Sequence, residues 1–317
     1  MQIACENIDR LQCLEIQGRG LPRGIKWRLY QAARAVHTEP LVLAAARLLN
    51  RPACRIGIVS GAAVPGHMPH GENDGPFGTV VLADALTRIG HDVSVYTDPA
   101  AAPAFEALLA RRALDVPVIE LGLHDAAQQE GIARAMDILV AVERLGGNVN
   151  GIIYGATGVS RQAFRCNVDH LFRTAAALGK PTISIADGGN EIGFGKVHAE
   201  LVKTMPDLNQ AEKTPCGGGI ISVVPTDVLV VATSSNLGAY GVCAALSVMQ
   251  KDLSLCHTAE EEIALEHIGV GLGLTDGGSG KRIAAVDGVP VLENAAVVTL
   301  MRALAERALT GTVERGF

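Results

Sequence analysis

The chain has 317 residues, enough for one large domain or two ordinary ones, and 48% of them are hydrophobic, which supplies a sizeable core. Aromatics make up only 3%, so that core must be built from Ala, Val, Leu and Ile. The formal net charge of −6, with no block of like charges, argues against a nucleic-acid or anionic-membrane surface.

Residues 1–52 read as a helical N-terminal arm. Thr38-Glu39-Pro40 ahead of Leu41–Leu49 offers a capping Thr and an early acid before a good helix-forming run, and Asn50-Arg51-Pro52 ends it. The early acids Glu6, Asp9 and Glu15 do not fit a secretory or transit leader, and no apolar run reaches bilayer-spanning length. From Arg55 onward short β-branched runs alternate with Ala/Leu-rich helical stretches, the pattern of βαβ units. Strands are predicted at 56–60, 93–97, 118–121, 138–142, 182–186 and 228–232. Helices are predicted near 78–90, 101–113, 125–135, 161–179, 191–205 and 236–250. The tail reads as a helix at 258–268, a Gly-rich hairpin segment at 271–288 and a last helix at 291–309. The expected fold is α/β: a three-layer, doubly wound, mainly parallel sheet of Rossmann-like type. It is read as a single domain over 1–317, with the arm at 1–52 and the α/β core at 53–317. The seven scattered cysteines contain no CxxC pair, and a cytoplasmic protein with reduced thiols is expected.

In a parallel sheet the strand ends share one edge, where ligands bind. The run Thr182–Gly193 therefore stands out: an apolar strand ends in Asp187-Gly188-Gly189-Asn190-Glu191. Asp-Gly and Gly-Asn are also ordinary turn dipeptides. A bare turn, though, does not explain a Glu followed at once by more apolar residues. A second loop, Gly71–Gly78, carries Glu72 and Asp74. Asp74 could cap the following helix, or the free amides could cradle an anion. His67 and His70 would permit a mixed metal site there, although His in a Gly/Pro loop is more often simply exposed. At the end of 138–142 stand Glu143 and Arg144, which must face opposite ways. Arg144 could grip a substrate carboxylate or belong to a structural ion pair. Asp98, followed by Pro99, reads as a strand end meeting solvent. Ser234, Ser235 and Asn236 precede a helix, and one of the two serines is expected to cap it. The Asp276–Lys281 segment fails as a phosphate loop, and GxGxxG, GxSxG and HExxH are all missing.

Together these motifs resemble those of the D-glutamate cyclase C-terminal-like domain family. Glu72-Asn73-Asp74-Gly75-Pro76-Phe77-Gly78 is similar to its ETDGPPG loop and Ala141–Gly146 to its AIERxG strand end. Ala186–Val197 is similar to its GDGGNEIGMGKV signature, and Ser235–Tyr240 to its SNWGAY. The similarity runs from about Ile56 to the last helix. Asn73 replaces a usual Thr, Leu237 a usual Trp, and Ile152-Ile153 interrupt a usual DGxYYN region. The last two are expected to alter a pocket wall.

The resemblance implies a hydro-lyase that converts D-glutamate to 5-oxo-D-proline with loss of water. Asp187 or Glu191 would be the base, and Asp74 or Glu72 the acid or a metal ligand. Arg144 would clamp the α-carboxylate, while Asn190 and Asn236 would serve the oxyanion. Glu143, Gly188, Gly189 and Ser235 complete the expected substrate site. No cofactor is strictly required, but Asp74 and Asp187 could hold Mg²⁺ or Mn²⁺. The expected partner is a small carboxylic or amino acid, with no nucleic acid and no membrane. A homo-oligomer or a separate hydro-lyase-like partner stays open. Two rivals also remain: another lyase or hydrolase of a small amino or hydroxy acid, and a non-catalytic binding module.

Overall fold

The computed structural model describes residues 1–17 and 24–310; the parts of the expected arm and core at 18–23 and 311–317 lie outside the described residues. Three helices form the arm: α1 (Gln2–Gln12), α2 (Ile25–Ala35) and α3 (Leu41–Leu49). Alternating units follow: β1 (Arg55–Ser60), α4 (Pro76–Arg88), β2 (Asp92–Thr97), α5 (Ala102–Arg111), β3 (Val118–Glu120), α6 (Ala126–Ala135), β4 (Ile138–Val142), α7 (Asp169–Ala177) and β5 (Thr182–Ala186). Then come α8 (His198–Thr204), α9 (Pro206–Asn209), β6 (Val228–Val231), α10 (Ser235–Gln250), α11 (Ala259–Gly271), β7 (Ala285–Val286), β8 (Val289–Pro290) and α12 (Val291–Thr310).

The six long strands form one parallel sheet in the order β3-β2-β1-β4-β5-β6. Every residue of β4, β5 and β6 is buried, which is why these strands are unbroken apolar runs rather than alternating ones. Their two faces serve separate cores. Ile138, Val140 and Val142 pack with α3, α4 and α10, whereas Leu139 and Ala141 pack with Ile132, Ala133, Leu171 and Phe172 of α6 and α7. Cys5, Ile8, Leu29 and Leu43 of the arm belong to the first of these cores.

The arm is also stitched to the end of β6. Gln12 Nε2 donates to the Val231 carbonyl at 2.9 Å, and the Thr233 amide donates to the Gln12 carbonyl at 2.7 Å. Thr38 does not cap α3. The buried carboxylate of Asp9 does so instead, accepting from the Leu41 and Val42 amides at 2.7 and 3.1 Å.

Two helices are shorter than their sequence suggests. Residues 161–168 make a single local turn, in which the Phe164 and Arg165 amides bond to the Arg161 carbonyl. They are otherwise diverted to more distant partners, the Arg161 amide to the Ile153 carbonyl and the Cys166 amide to Asp98, so α7 starts only at Asp169. Residues 191–197 likewise bond to Arg144 and Val224 before α8 begins. In the tail, β7 and β8 pair across Asp287-Gly288, both at positive φ (51° and 78°), the two-residue turn that a tight hairpin favours. Among the described residues, no helix is long and apolar enough to cross a membrane.

Candidate active site

The strand order reverses between β1 and β4, which opens a crevice at the carboxyl edge of the sheet. Register then fixes what meets there. Ser60 pairs with Val142, Val142 with Ile185, and Ala186 with Val231. Glu143 and Asp187, one residue beyond β4 and β5, thus emerge side by side, and the loop after β1 delivers Asp74 to them. Carboxylate oxygens of Asp74, Glu143 and Asp187 lie within 4.8 Å of one another.

Local backbone chemistry makes this approach possible. Glu143 sits at φ +50°, an unfavourable conformation for a side-chain-bearing residue and one that is common at functional sites. Gly75 lies against it: at φ +98°, a Cβ there would stand 2.9 Å from the Glu143 Cβ. Ser235 Oγ donates to Glu143 Oε2 at 2.5 Å. Asp74 accepts from the Ser235 and Asn236 amides, both at 2.8 Å, so it caps α10 rather than the helix that follows it in sequence. Glu191 folds back so that its Oε1 accepts from the Gly188 amide at 2.8 Å.

Two residues that strand-end reasoning misses complete the cluster. Lys26, at the start of α2, forms an ion pair with Asp187 and lies 3.9 Å from Asp287, in the β7–β8 turn. Glu15 places this lysine by accepting from the Gly24 and Lys26 amides at 3.0 and 2.9 Å. Neither Lys26 nor Asp287 follows a strand of the main sheet; the Asp287-Gly288 turn dipeptide was the one visible signal. Glu72 joins Asp287 beside Gly277, where a Cβ would stand 2.6 Å from Glu72 Oε2 and 3.0 Å from Asp287 Oδ1. A cavity of about 560 Å³ is lined by Lys26, Asp187, Gly188, Gly277 and Asp287, among others. A larger hollow of about 690 Å³ between α2 and α8 has no convergent carboxylates, and the site is placed in the smaller one.

So many acids in so little water cannot all carry charge. Burial, opposed by Arg165, pushes Glu72 up to about 8. Burial together with the Asp187 charge raises Asp74 to about 7 and Glu191 to about 8. Glu143 and Asp287 rise well above the carboxylate range for the same two reasons. Burial alone would lower the Lys26 ammonium, but Asp187 and Asp287 hold it above its ordinary value. The cluster therefore offers both protonated and ionised carboxyl groups near neutral pH.

Other expected site residues are committed elsewhere. Arg144 faces away from Glu143 and makes a buried bidentate pair with Asp98, at 2.5 and 3.0 Å, so it does not join the cluster as a substrate clamp. Asp98 is consequently not a solvent-facing strand end: it is 2% exposed. Asn236 Oδ1 accepts from the Gly75 and Gly78 amides, and its Nδ2 donates to the Asn73 carbonyl, which removes it from oxyanion duty and fills the loop amides thought free for an anion. Asn190 donates to the Tyr154 carbonyl at 2.8 Å. The Gly188 amide is taken by Glu191, and the Gly189 carbonyl by the Ser222 amide at 3.1 Å. Ser234 is the serine that caps α10.

The departures from the family pattern are structural as well. Asn73 Nδ2 donates to the Ile283 and Ala285 carbonyls, tying the tail to the site. Leu237 is buried in the core and does not line the cavity. His67 and His70 are exposed, outside the carboxylate cluster. Asp276–Lys281 forms a turn braced by Asp276, which accepts from the Ser279 and Gly288 amides. All seven cysteines are free.

Fold and site together define an α/β protein with a polar, acid-lined crevice at the switch point of a doubly wound sheet. The particular family follows from the sequence match: the model described as D-glutamate cyclase-like, C-terminal, covers residues 23–302, and the chain belongs to that family. It is 29% identical over 198 residues to the protein named D-glutamate cyclase, mitochondrial, of Homo sapiens. That match takes in 58% of this chain and 31% of the human protein, so the chain spans about a third of that relative. Similar solved structures include a double mutant of a Serratia marcescens short-chain dehydrogenase/reductase, at 17% identity and TM-score 0.28, covering 50% of this chain and 67% of that one. Another is BdcA in complex with NADPH, at 12% identity and TM-score 0.29, covering 80% of this chain and 89% of that one. The fold assignment rests on the strand order itself.

Proposed function

We propose that the chain cyclises D-glutamate to 5-oxo-D-proline with release of water. The observation that carries this reading is a cluster of acids beside a cavity: Asp74, Glu143 and Asp187 lie within 4.8 Å of one another, Asp187 and Asp287 face Lys26, and Glu72 lies beside Asp287. The substrate's ammonium must lose a proton before its nitrogen can attack the γ-carboxyl carbon. Asp187, paired with Lys26 and facing the cavity, takes that proton, with Glu191 behind it. The C–N bond forms and a tetrahedral centre results. Its nitrogen loses a second proton, and the C–O bond breaks as one oxygen leaves as water. Both protons released by nitrogen end on that oxygen. Glu72, protonated near neutral pH, delivers the one that makes it a leaving group, and it is recharged from the base. Since Arg144 is occupied, Lys26 is the cation that meets a substrate carboxylate.

The test is to incubate the purified chain with D- and L-glutamate and follow 5-oxoproline by chiral chromatography. D-glutamate should be consumed. Asp187→Asn should lose at least about 100-fold in kcat while keeping its unfolding midpoint. Lys26→Met should raise KM. No turnover of D-glutamate at any pH from 6 to 9, with or without Mg²⁺ or Mn²⁺, would sink the proposal. Loss of binding without any turnover to lose would point to a binding module instead.

A further inference from the structure

We infer that Asp74, Glu143 and Asp187 form a divalent-cation site for Mg²⁺ or Mn²⁺, and that the Lys26 ammonium is a built-in competitor for it. The inference adds Glu143 to the ligand set and does not depend on the substrate.

Three ligands come from three separate segments, the loop after β1 and the ends of β4 and β5, with their oxygens inside 4.8 Å. The set is all oxygen, with neither His nor Cys, and such hard donors suit Mg²⁺ or Mn²⁺ rather than a softer metal. The ligands are also pre-oriented. Asp74 is held by three amides: Oδ1 accepts from Asn236 and Gly75, at 2.8 and 3.0 Å, and Oδ2 accepts only from Ser235 at 2.8 Å, which leaves Oδ2 a free lone pair. Glu143 is held by Ser235 Oγ at 2.5 Å and by its strained backbone. Supporting bonds of this kind orient the ligands of metal centres.

A second, independent feature points to a missing cation. Glu191 is 1% exposed, and its Oε2 has no hydrogen-bond partner. Its other oxygen accepts from the Asp187 and Gly188 amides, and the Glu191 carboxyl lies beside the side chain of Asp187, one of the three ligands. A buried, unpaired carboxylate oxygen is costly unless a proton or a cation serves it. Ser60 Oγ, fully buried, is likewise unpartnered, and it lies 3.2 Å from where a Cβ on Gly75 would stand, next to Glu143. Lys26 supplies one positive charge, directed at Asp187 and Asp287, and makes no ion pair with Asp74 or Glu143. A divalent ion among the three ligands would neutralise what one ammonium does not. It would also compete with Lys26 for Asp187 and release the lysine toward the cavity.

Binding of Mn²⁺ to the full chain, read by loss of the free-ion electron paramagnetic resonance signal, tests this without any substrate. Saturation at one Mn²⁺ per chain is expected, displaceable by Mg²⁺. Glu143→Gln should weaken binding at least tenfold, and Ser235→Ala, which leaves all three ligands in place, should weaken it by a smaller factor. Lys26→Met should tighten it severalfold. Circular dichroism and the unfolding midpoint show that each variant is folded. No saturable binding by wild type, or wild-type affinity in both Glu143→Gln and Ser235→Ala, overturns the site. Unchanged or weaker binding by Lys26→Met overturns the competition. Because nothing is turned over, failure here is distinct from failure to cyclise D-glutamate.

Discussion

Arg144 and Asp98 are 1% and 2% exposed, and their two mutual hydrogen bonds, with Arg144 also donating to the Cys166 carbonyl and Asp98 also accepting from the Cys166 amide, allow such charges to sit inside this core. Removing Arg144 leaves the Asp98 charge buried with only the Cys166 amide and a longer contact to Arg165 at 3.9 Å, at a cost of about 3–5 kcal/mol. Arg144→Met should therefore lower the unfolding free energy in urea by that order, with a loss of activity that follows the loss of fold. A substrate clamp would instead show a raised KM in a stable protein. The pair also has a pH signature. Burial would raise Asp98, but Arg144 overrides it and holds the carboxyl below its ordinary range. The stability it contributes is thus complete above the unfolded value of about 3.9 and is lost as pH falls through the lower folded value. Sequence showed that Glu143 and Arg144 face apart, because that follows from strand geometry. It did not show which faced the cleft, because the deciding partner lies 46 residues away.

At the scale of elements, α4 and α10 cap each other. Asp74, ahead of α4, accepts the first amides of α10, while Asn236, in the first turn of α10, accepts the Gly75 and Gly78 amides at 3.0 and 2.7 Å. The exchange fixes the two helix starts as one unit and keeps Asp74 beside Glu143. Asn236→Ala should cost about 1–2 kcal/mol, the upper range for a lost cap, and Ser234→Ala nearer 1 kcal/mol, both read by urea unfolding. The Ser234 cap is legible as a serine before a helix, whereas Asp74 reads as a cap of the helix that follows it and instead caps α10. The reciprocity is not legible, since it pairs segments 161 residues apart. The same distinction runs through the fold. All six strands of the parallel sheet lie within one residue of their sequence-predicted limits, and for β4, β5 and β6 the reason is that a doubly buried parallel strand must be an apolar run. The helices at 161–179 and 191–205 were read too long because the residues ahead of α7 and α8 make long-range bonds, to Asp98 from one and to Val224 from the other. Glu143, Asp187 and Glu191 stand just past the ends of β4 and β5 and are readable there, while Glu72 and Asp74 are readable in the Gly-rich loop ahead of α4. Lys26 and Asp287 reach the site from the arm and the tail, where no strand-end rule applies.

Across the whole molecule, the buried acids should set an inverted pH profile. Burial first, and like charges second, raise Glu72 and Glu191 to about 8 and, with a Glu262 neighbour, Glu266 to about 9. Burial also lifts Asp9 to about 7. Each folded value exceeds the unfolded carboxylate value of about 4, so the folded chain holds more protons than the unfolded one in between. Stability then falls as pH rises through that window. Of the groups with lowered values, Cys216, brought down to about 7 by the hydrogen bond it accepts from Tyr154, opposes the fall between there and the ordinary thiol value of about 8.5, one group against Glu72, Glu191 and Glu266. Asp137 and Glu261, both near 2, have delivered their full contribution well below that window. His37, which burial lowers to about 4, opposes the fall only between there and the ordinary histidine value near 6.5. The melting temperature of the metal-free chain should therefore drop steadily from pH 6.5 to 8.5. Glu266 separates this from any effect of the cleft, because it is fully buried between α11 and α12, bonded to Asn294 at 2.9 Å. Glu266→Gln keeps the shape and removes one such proton, so its melting temperature should fall less over the same interval. A wild-type melting temperature that rises from pH 6.5 to 8.5, or a Glu266→Gln slope as steep as wild type, would show that these buried carboxyls do not hold their protons.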